Sequence, residues 1–136
     1  MANEVLKSSG GVDLIVQNGR SVRNYGVVID GRWVYGSTVL DNARAVANAA
    51  HKARRGSTAD KAAAALIRSA EISRDQMPGM SEAEAIYGSV NVSLGMCPDG
   101  CCGGPEMFDS PDDPRYVEWK AWRGELWDAV RKLQPV

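Results

Sequence analysis

Between Val12 and Gly36 the apolar positions come in short runs of β-branched and aromatic residues separated by turn-forming pairs, whereas after Asp41 they recur at helical spacing. Tyr25-Gly26-Val27-Val28-Ile29 and Arg32-Trp33-Val34-Tyr35-Gly36 have only Asp30-Gly31 between them. That pair supplies the positive φ angles of a two-residue type I′ hairpin turn. Counting outward pairs Val28 with Trp33, Val27 with Val34, Gly26 with Tyr35 and Tyr25 with Gly36, which sets each glycine opposite an aromatic ring. Val12 to Val16 comes before, and Asn18-Gly19 is a second type I′ signal. It would pair Val16 with Ser21, Ile15 with Val22 and Leu14 with Arg23, extending the hairpin to an antiparallel meander.

From Asp41 the spacing turns helical, with Ala43, Val46, Ala47, Ala50 and Ala53 on one side. Arg54-Arg55-Gly56 closes this helix, and Ser57 with Asp60 opens a second one reaching about Asp75. Its inward residues, Ala59, Ala62, Ala63, Leu66, Ile67 and Ala70, predict a closely packed hairpin of two alanine-rich helices. Met77-Pro78-Gly79-Met80 breaks the pattern. Ser81 and Glu84 then make a capping box for a short helix through about Gly88, and Asn91 to Met96 alternates as a returning strand would. Ser110-Pro111 reads as N-cap and first residue of a last helix. Its Trp119, Trp122, Leu126, Ala129 and Leu133 form one stripe, widened by Trp127 and Val130. Residues 1–11, with Ser8-Ser9-Gly10-Gly11, read as a flexible lead-in, and residues 12–136 as one domain. The expected class is α+β: a three- to four-stranded antiparallel β-meander packed against an alanine-rich helical hairpin and a C-terminal tryptophan-rich helix.

Composition narrows the setting. A chain of 136 residues with 44% hydrophobic content can bury one core. No apolar run has transmembrane length and the start lacks a basic-then-apolar leader, so neither span nor signal peptide is expected. Three cysteines, an odd count, argue against a secreted disulfide scaffold and for a reducing cytoplasm. Charge is unevenly spread: residues 1–68 hold ten Lys/Arg against five Asp/Glu and residues 69–136 six against twelve, so the halves carry +5 and −6. The halves can attract each other within one fold, or the positive half can face a nucleic acid or an acidic partner.

Four constellations could carry chemistry. Cys97, Cys101 and Cys102 lie in a glycine-rich stretch and could share a thiophilic metal, form a redox disulfide, or be plain turn residues. Structural zinc wants four ligands, and the one histidine, His51, is distant in sequence, so no metal or cofactor is expected. Arg44, Asn48, His51, Lys52 and Arg55 fall within about a third of a helix circumference and are the candidate partner-binding face, able to contact phosphates. Trp119, Trp122 and Trp127 are either core or a recognition surface. Asp109, Asp112 and Asp113 suit a helix start, with metal binding as the alternative. His51 has no nucleophile or carboxylate beside it in sequence, and no phosphate-loop, dinucleotide or His-Glu-x-x-His string occurs, so no catalytic residues are assigned.

The join from Gly36-Ser37-Thr38 into Asp41-Asn42-Ala43-Arg44-Ala45-Val46 resembles the end of a double-stranded RNA-binding domain, although the positions of that family's paired lysines hold Val39 and Leu40. It is equally similar to a HicB-like β-β-β-α antitoxin module. The expectation is a small non-enzymatic cytoplasmic binding protein that regulates or inhibits a larger macromolecular complex through its surface, in one version encoded by a mobile element. Its partner would be a protein or protein–nucleic acid complex, with no membrane role. The alternatives are a nucleic-acid-binding module using the basic face of the 41–55 helix, and a metal-binding or redox protein using the 97–102 cysteines.

Overall fold

Asp30 and Gly31 take φ +50° and +83°, the pair of positive angles that a type I′ turn requires. They join β3 (Asn24–Ile29) to β4 (Arg32–Ser37). The structure, a computed structural model, describes residues 3–18, 23–96 and 111–134. Ile29 pairs with Arg32 and Val28 with Trp33, but a β-bulge then sets Val27 opposite Tyr35, Gly26 opposite Gly36 and Tyr25 opposite Ser37. The expected pairs beyond Val28 are therefore each displaced by one residue. The bulge has a packing reason: Val34 is buried in the core and Tyr35, partly buried, packs against the same core beside two of the helices. Trp33 covers Gly26 diagonally, so closely that any β-carbon at Gly26 would collide with the indole.

β2 (Val12–Gln17) pairs with β3, and Val16 faces Tyr25 rather than Ser21, so the register is not that of a two-residue Asn18-Gly19 turn. β1 (Asn3–Ser9) completes the order β1-β2-β3-β4, with each strand antiparallel to its neighbour. The flexible lead-in expected over residues 1–11 is thus corrected for these seven residues. Adjacent Val5 and Leu6 break the alternation that would have announced a strand, and the structure absorbs the extra residue as a bulge between Val5 and Lys7.

Four helices follow among the described residues: α1 (Leu40–Lys52), α2 (Thr58–Gln76), α3 (Glu82–Leu94) and α4 (Pro114–Leu133). Alanines 43 and 50 of α1 and alanines 62, 63 and 65 of α2 have no exposed surface, and such small side chains let the two helices lie close together. Beneath them Val12, Leu14, Val27, Ile29 and Val34 supply the sheet side of the core. Ser57 caps α2 in a complete capping box: its hydroxyl accepts the Asp60 N–H (3.1 Å) and the Asp60 carboxylate accepts the Ser57 N–H (3.2 Å). Replacing Ser57 with alanine should cost about 1 kcal/mol in urea unfolding.

Two helix expectations are corrected. α3 does not stop at Gly88, and Asn91–Met96 is no strand: Ile86, Val90, Ser93 and Leu94 are buried at helical spacing, while Val92 is exposed. The Ser93 hydroxyl donates to the Val34 carbonyl (2.6 Å), tying α3 to β4. The last helix starts at Pro114 with Asp113 as N-cap, accepting the Arg115 N–H (2.9 Å), so Pro114 takes the place expected of Pro111; Ser110 lies outside the described residues. Trp122, Leu126, Ala129 and Val130 are buried, Trp119 and Trp127 half-buried, and Leu133 is exposed rather than part of the stripe. Among the described residues no helix is long and apolar enough to cross a membrane.

Candidate functional site

α1 ends at Lys52, where the Ala53 N–H bonds the Ala50 carbonyl (3.0 Å), the Arg54 N–H the His51 carbonyl (3.1 Å) and the Gly56 N–H the Ala53 carbonyl (2.9 Å). These short-range bonds tighten the chain into a turn with Arg54 and Arg55 exposed. The last turn of α4 brings Lys132 to the same place. Lys52, Arg54, Arg55 and Lys132 line an open cleft of about 600 Å³ together with Asp60 and Leu133. Among the described residues Asp60 is the one carboxylate in that lining, 3.5 Å from the Lys132 ammonium. The Ser57 N–H holds its carboxyl below the ordinary value, with Lys132 acting the same way against the opposing effect of burial. Asp60 is therefore ionised at neutral pH, and the cleft retains an excess of positive charge.

The five residues expected to form one face are only partly brought together. Lys52 and Arg55 reach the cleft, although Arg55 lies beyond the end of α1. Arg44 sits two turns earlier, roughly 12 Å along the axis, and 3.6 Å from Asp41. Asn48 and His51 border a small hollow against Lys7 and Ser9 of β1, and the His51 Nδ1 is buried without a hydrogen-bond partner. Helical spacing alone groups these positions; β1, unforeseen in the sequence, takes Asn48 and His51 out of the group. Arg54 and Lys132 were missed. Arg54 had a signal in its neighbour Arg55, whereas Lys132 joins only through the packing of α4 on α2.

A second constellation joins the two hairpin turns to α2. Lys61, with 8% of its side chain exposed, lies 2.9 Å from the Asp30 carboxylate and donates to the Gly10 carbonyl (3.3 Å). The Thr58 hydroxyl donates to the same carboxylate oxygen, Oδ2 (2.5 Å), Lys61 also donates to Oδ1 (3.0 Å), and the Asp30 N–H donates to the Gly11 carbonyl (2.8 Å). Gly11, at φ +79°, leaves no room for a β-carbon, which would overlap the Asp30 carboxylate. The Thr58 hydroxyl, followed by Lys61, holds the Asp30 carboxyl below its ordinary range against the opposing effect of burial. A cleft of about 380 Å³ lies alongside, where Arg32 is paired with Glu118 and stacks 4.3 Å over the Trp122 ring. Most of these charges already have partners, so the cluster serves as a clamp within the fold.

Cys97, Cys101, Cys102 and Asp109 lie outside the described residues. Asp113 caps α4, its carboxyl held low by hydrogen bonds from the Arg115 side chain and N–H. Among the described residues no group of three or more His, Cys, Asp or Glu side chains could hold a metal ion. Compared with known proteins, the chain matches no family model, no curated protein and no solved structure, and the two resemblances seen near Gly36 gain no support there.

Proposed function

We propose that this protein is a small non-catalytic binding protein that regulates or inhibits a larger macromolecular complex by docking its basic cleft onto an acidic surface of a protein partner. The gathering of Lys52, Arg54, Arg55 and Lys132 around one cleft, with Asp60 as the only lining carboxylate among the described residues, supports this reading. Arginine forks and a flexible lysine suit carboxylates presented together, and a concave site lets them converge on one group. The charge is also local. Arg44 lies beside Asp41 and two turns away from the cleft, so no cationic row continues along α1 as a nucleic-acid backbone would require.

Reversing Arg54 and Arg55 to glutamate tests the proposal. Both are exposed, so stability should change by no more than about 0.5 kcal/mol each. A partner captured by the unaltered protein and identified as protein or nucleic acid should bind the double variant at least tenfold more weakly, mainly through slower association, and added salt should mimic the loss. Affinity unchanged by the reversal would remove the cleft from the function. A captured nucleic acid whose log affinity falls linearly with log salt would instead establish the RNA- or DNA-binding reading.

A further inference from the structure

At the other end of α2 lies a groove of different character. α2, α3 and the outer edge of β4 enclose about 330 Å³ of open space bordered by Met77, Met80, Met96, Tyr35 and Val92. Met77 is 56% exposed and Val92 64%, although both are apolar. Two hydroxyls of the lining are already used: that of Ser89 donates to the Leu66 carbonyl (2.8 Å) and that of Ser93 to the Val34 carbonyl (2.6 Å). The second bond also occupies an edge carbonyl of β4, so an added strand would have to displace α3.

Three observations specify an occupant. First, the walls are methionine, whose unbranched and polarizable side chain adapts to apolar partners of varied shape. Second, Gly88 stands in the middle of α3 and lines the groove, and a β-carbon there would meet nothing within 4 Å. Glycine is a poor helix former, and no neighbour among the described residues requires it at this position. The space above it is where another backbone can come close. Third, Glu84 is the only charged side chain among the described residues of the lining, whereas Glu82 of the same helix already lies 3.6 Å from Arg74. We infer that this groove receives an amphipathic helix of a partner protein, its apolar ridge against the methionines and its Lys or Arg residues toward Glu84. This site is separate from the basic cleft and does not depend on it.

The test is selection from a displayed library of randomised helical peptides, followed by fluorescence anisotropy of the winners. Enriched peptides should carry apolar residues at i, i+3 or i+4, and i+7 with flanking Lys or Arg, and should become helical on binding. Gly88→Trp introduces its β-carbon where no described atom lies within 4 Å and extends an indole over the groove, so it should leave the melting temperature close to that of the parent and weaken binding at least tenfold. Gly88→Ala should melt no lower than the parent, and Glu84→Lys should weaken only the cationic peptides. The Arg54→Glu, Arg55→Glu double variant should bind them unchanged. The inference is overturned if nothing is enriched, if the winners are acidic or extended, or if they bind the Gly88→Trp protein equally well. Self-association that Gly88→Trp abolishes would also overturn it, by making a second copy of this chain the occupant.

Discussion

Truncating Trp122 to alanine should destabilise the protein by about 3–5 kcal/mol, a large part of the 5–15 kcal/mol typical of a whole domain. The indole is only 6% exposed and lies in the same stripe as Leu126 and Val130, which have no exposed surface. Its other side carries the Arg32 guanidinium, 4.3 Å from the ring centre and paired with Glu118 of the same helix. Removing the ring therefore opens a cavity under α4 and takes away the platform on which Arg32 rests. Urea unfolding should show the loss as a shifted midpoint, and a thermal scan as a drop of roughly 10–20 °C. Leu133→Ala on the same helix is the control, expected within about 0.5 kcal/mol because Leu133 is exposed. A Trp122 effect as small as that of Leu133 would mean that α4 is not held by its core stripe.

Asp30→Asn should give the next largest loss, about 2–3 kcal/mol, because it leaves the Lys61 ammonium buried without its counter-ion. Asparagine tolerates the left-handed conformation of Asp30, so the change reports on the charge rather than on the turn. Lys61→Met should cost less, about 1 kcal/mol, since Asp30 keeps the Thr58 hydroxyl and replacing a buried cation with an apolar side chain is often tolerated. That asymmetry is the signature of a pair whose lysine is the buried member. The pH dependence follows from the lowered Asp30 pKa. Its stabilising effect is complete above the unfolded-state carboxylate pKa of about 3.9 and disappears as pH falls through the folded value. Acid titration of stability should therefore be flatter in Asp30→Asn than in the parent, with Asp60 and Asp113 supplying what remains of the acid limb. Equal losses for the two variants, or an unchanged acid limb, would show that Asp30 and Lys61 are not coupled.

What could be read in the sequence was whatever short-range chemistry decides. The Asp30-Gly31 turn, the Ser57–Asp60 capping box and the alanine faces of α1 and α2 depend on residues a few positions apart, and all appear where they were expected. Register failed after the second pair from the turn because the bulge in β4 answers to the packing of Val34 and Tyr35, which strand counting cannot see. Asn91 to Met96 was misread because Val92 and Leu94 imitate alternation, although α3 sends one to solvent and the other to the core. The candidate site was half visible for the same reason. Lys52 and Arg55 announce themselves as part of a basic helix end, whereas Lys132 arrives from the far end of the chain and His51 is drawn off by β1.

The bulge in β1 also bears on how this sheet meets other molecules. An outer strand with an unbroken row of backbone groups is a template on which a second chain can zip, and Val5 and Leu6 would add exposed apolar surface to the attraction. With the register shifting between Val5 and Lys7, the row is broken at its midpoint and the strand bends locally. Lys7 follows directly, and a charge beside the break discourages a flat neighbour. The sheet thus carries its own stop against edge-to-edge growth, and straightening β1 by deleting Leu6 would turn a self-limiting edge into a site for aggregation.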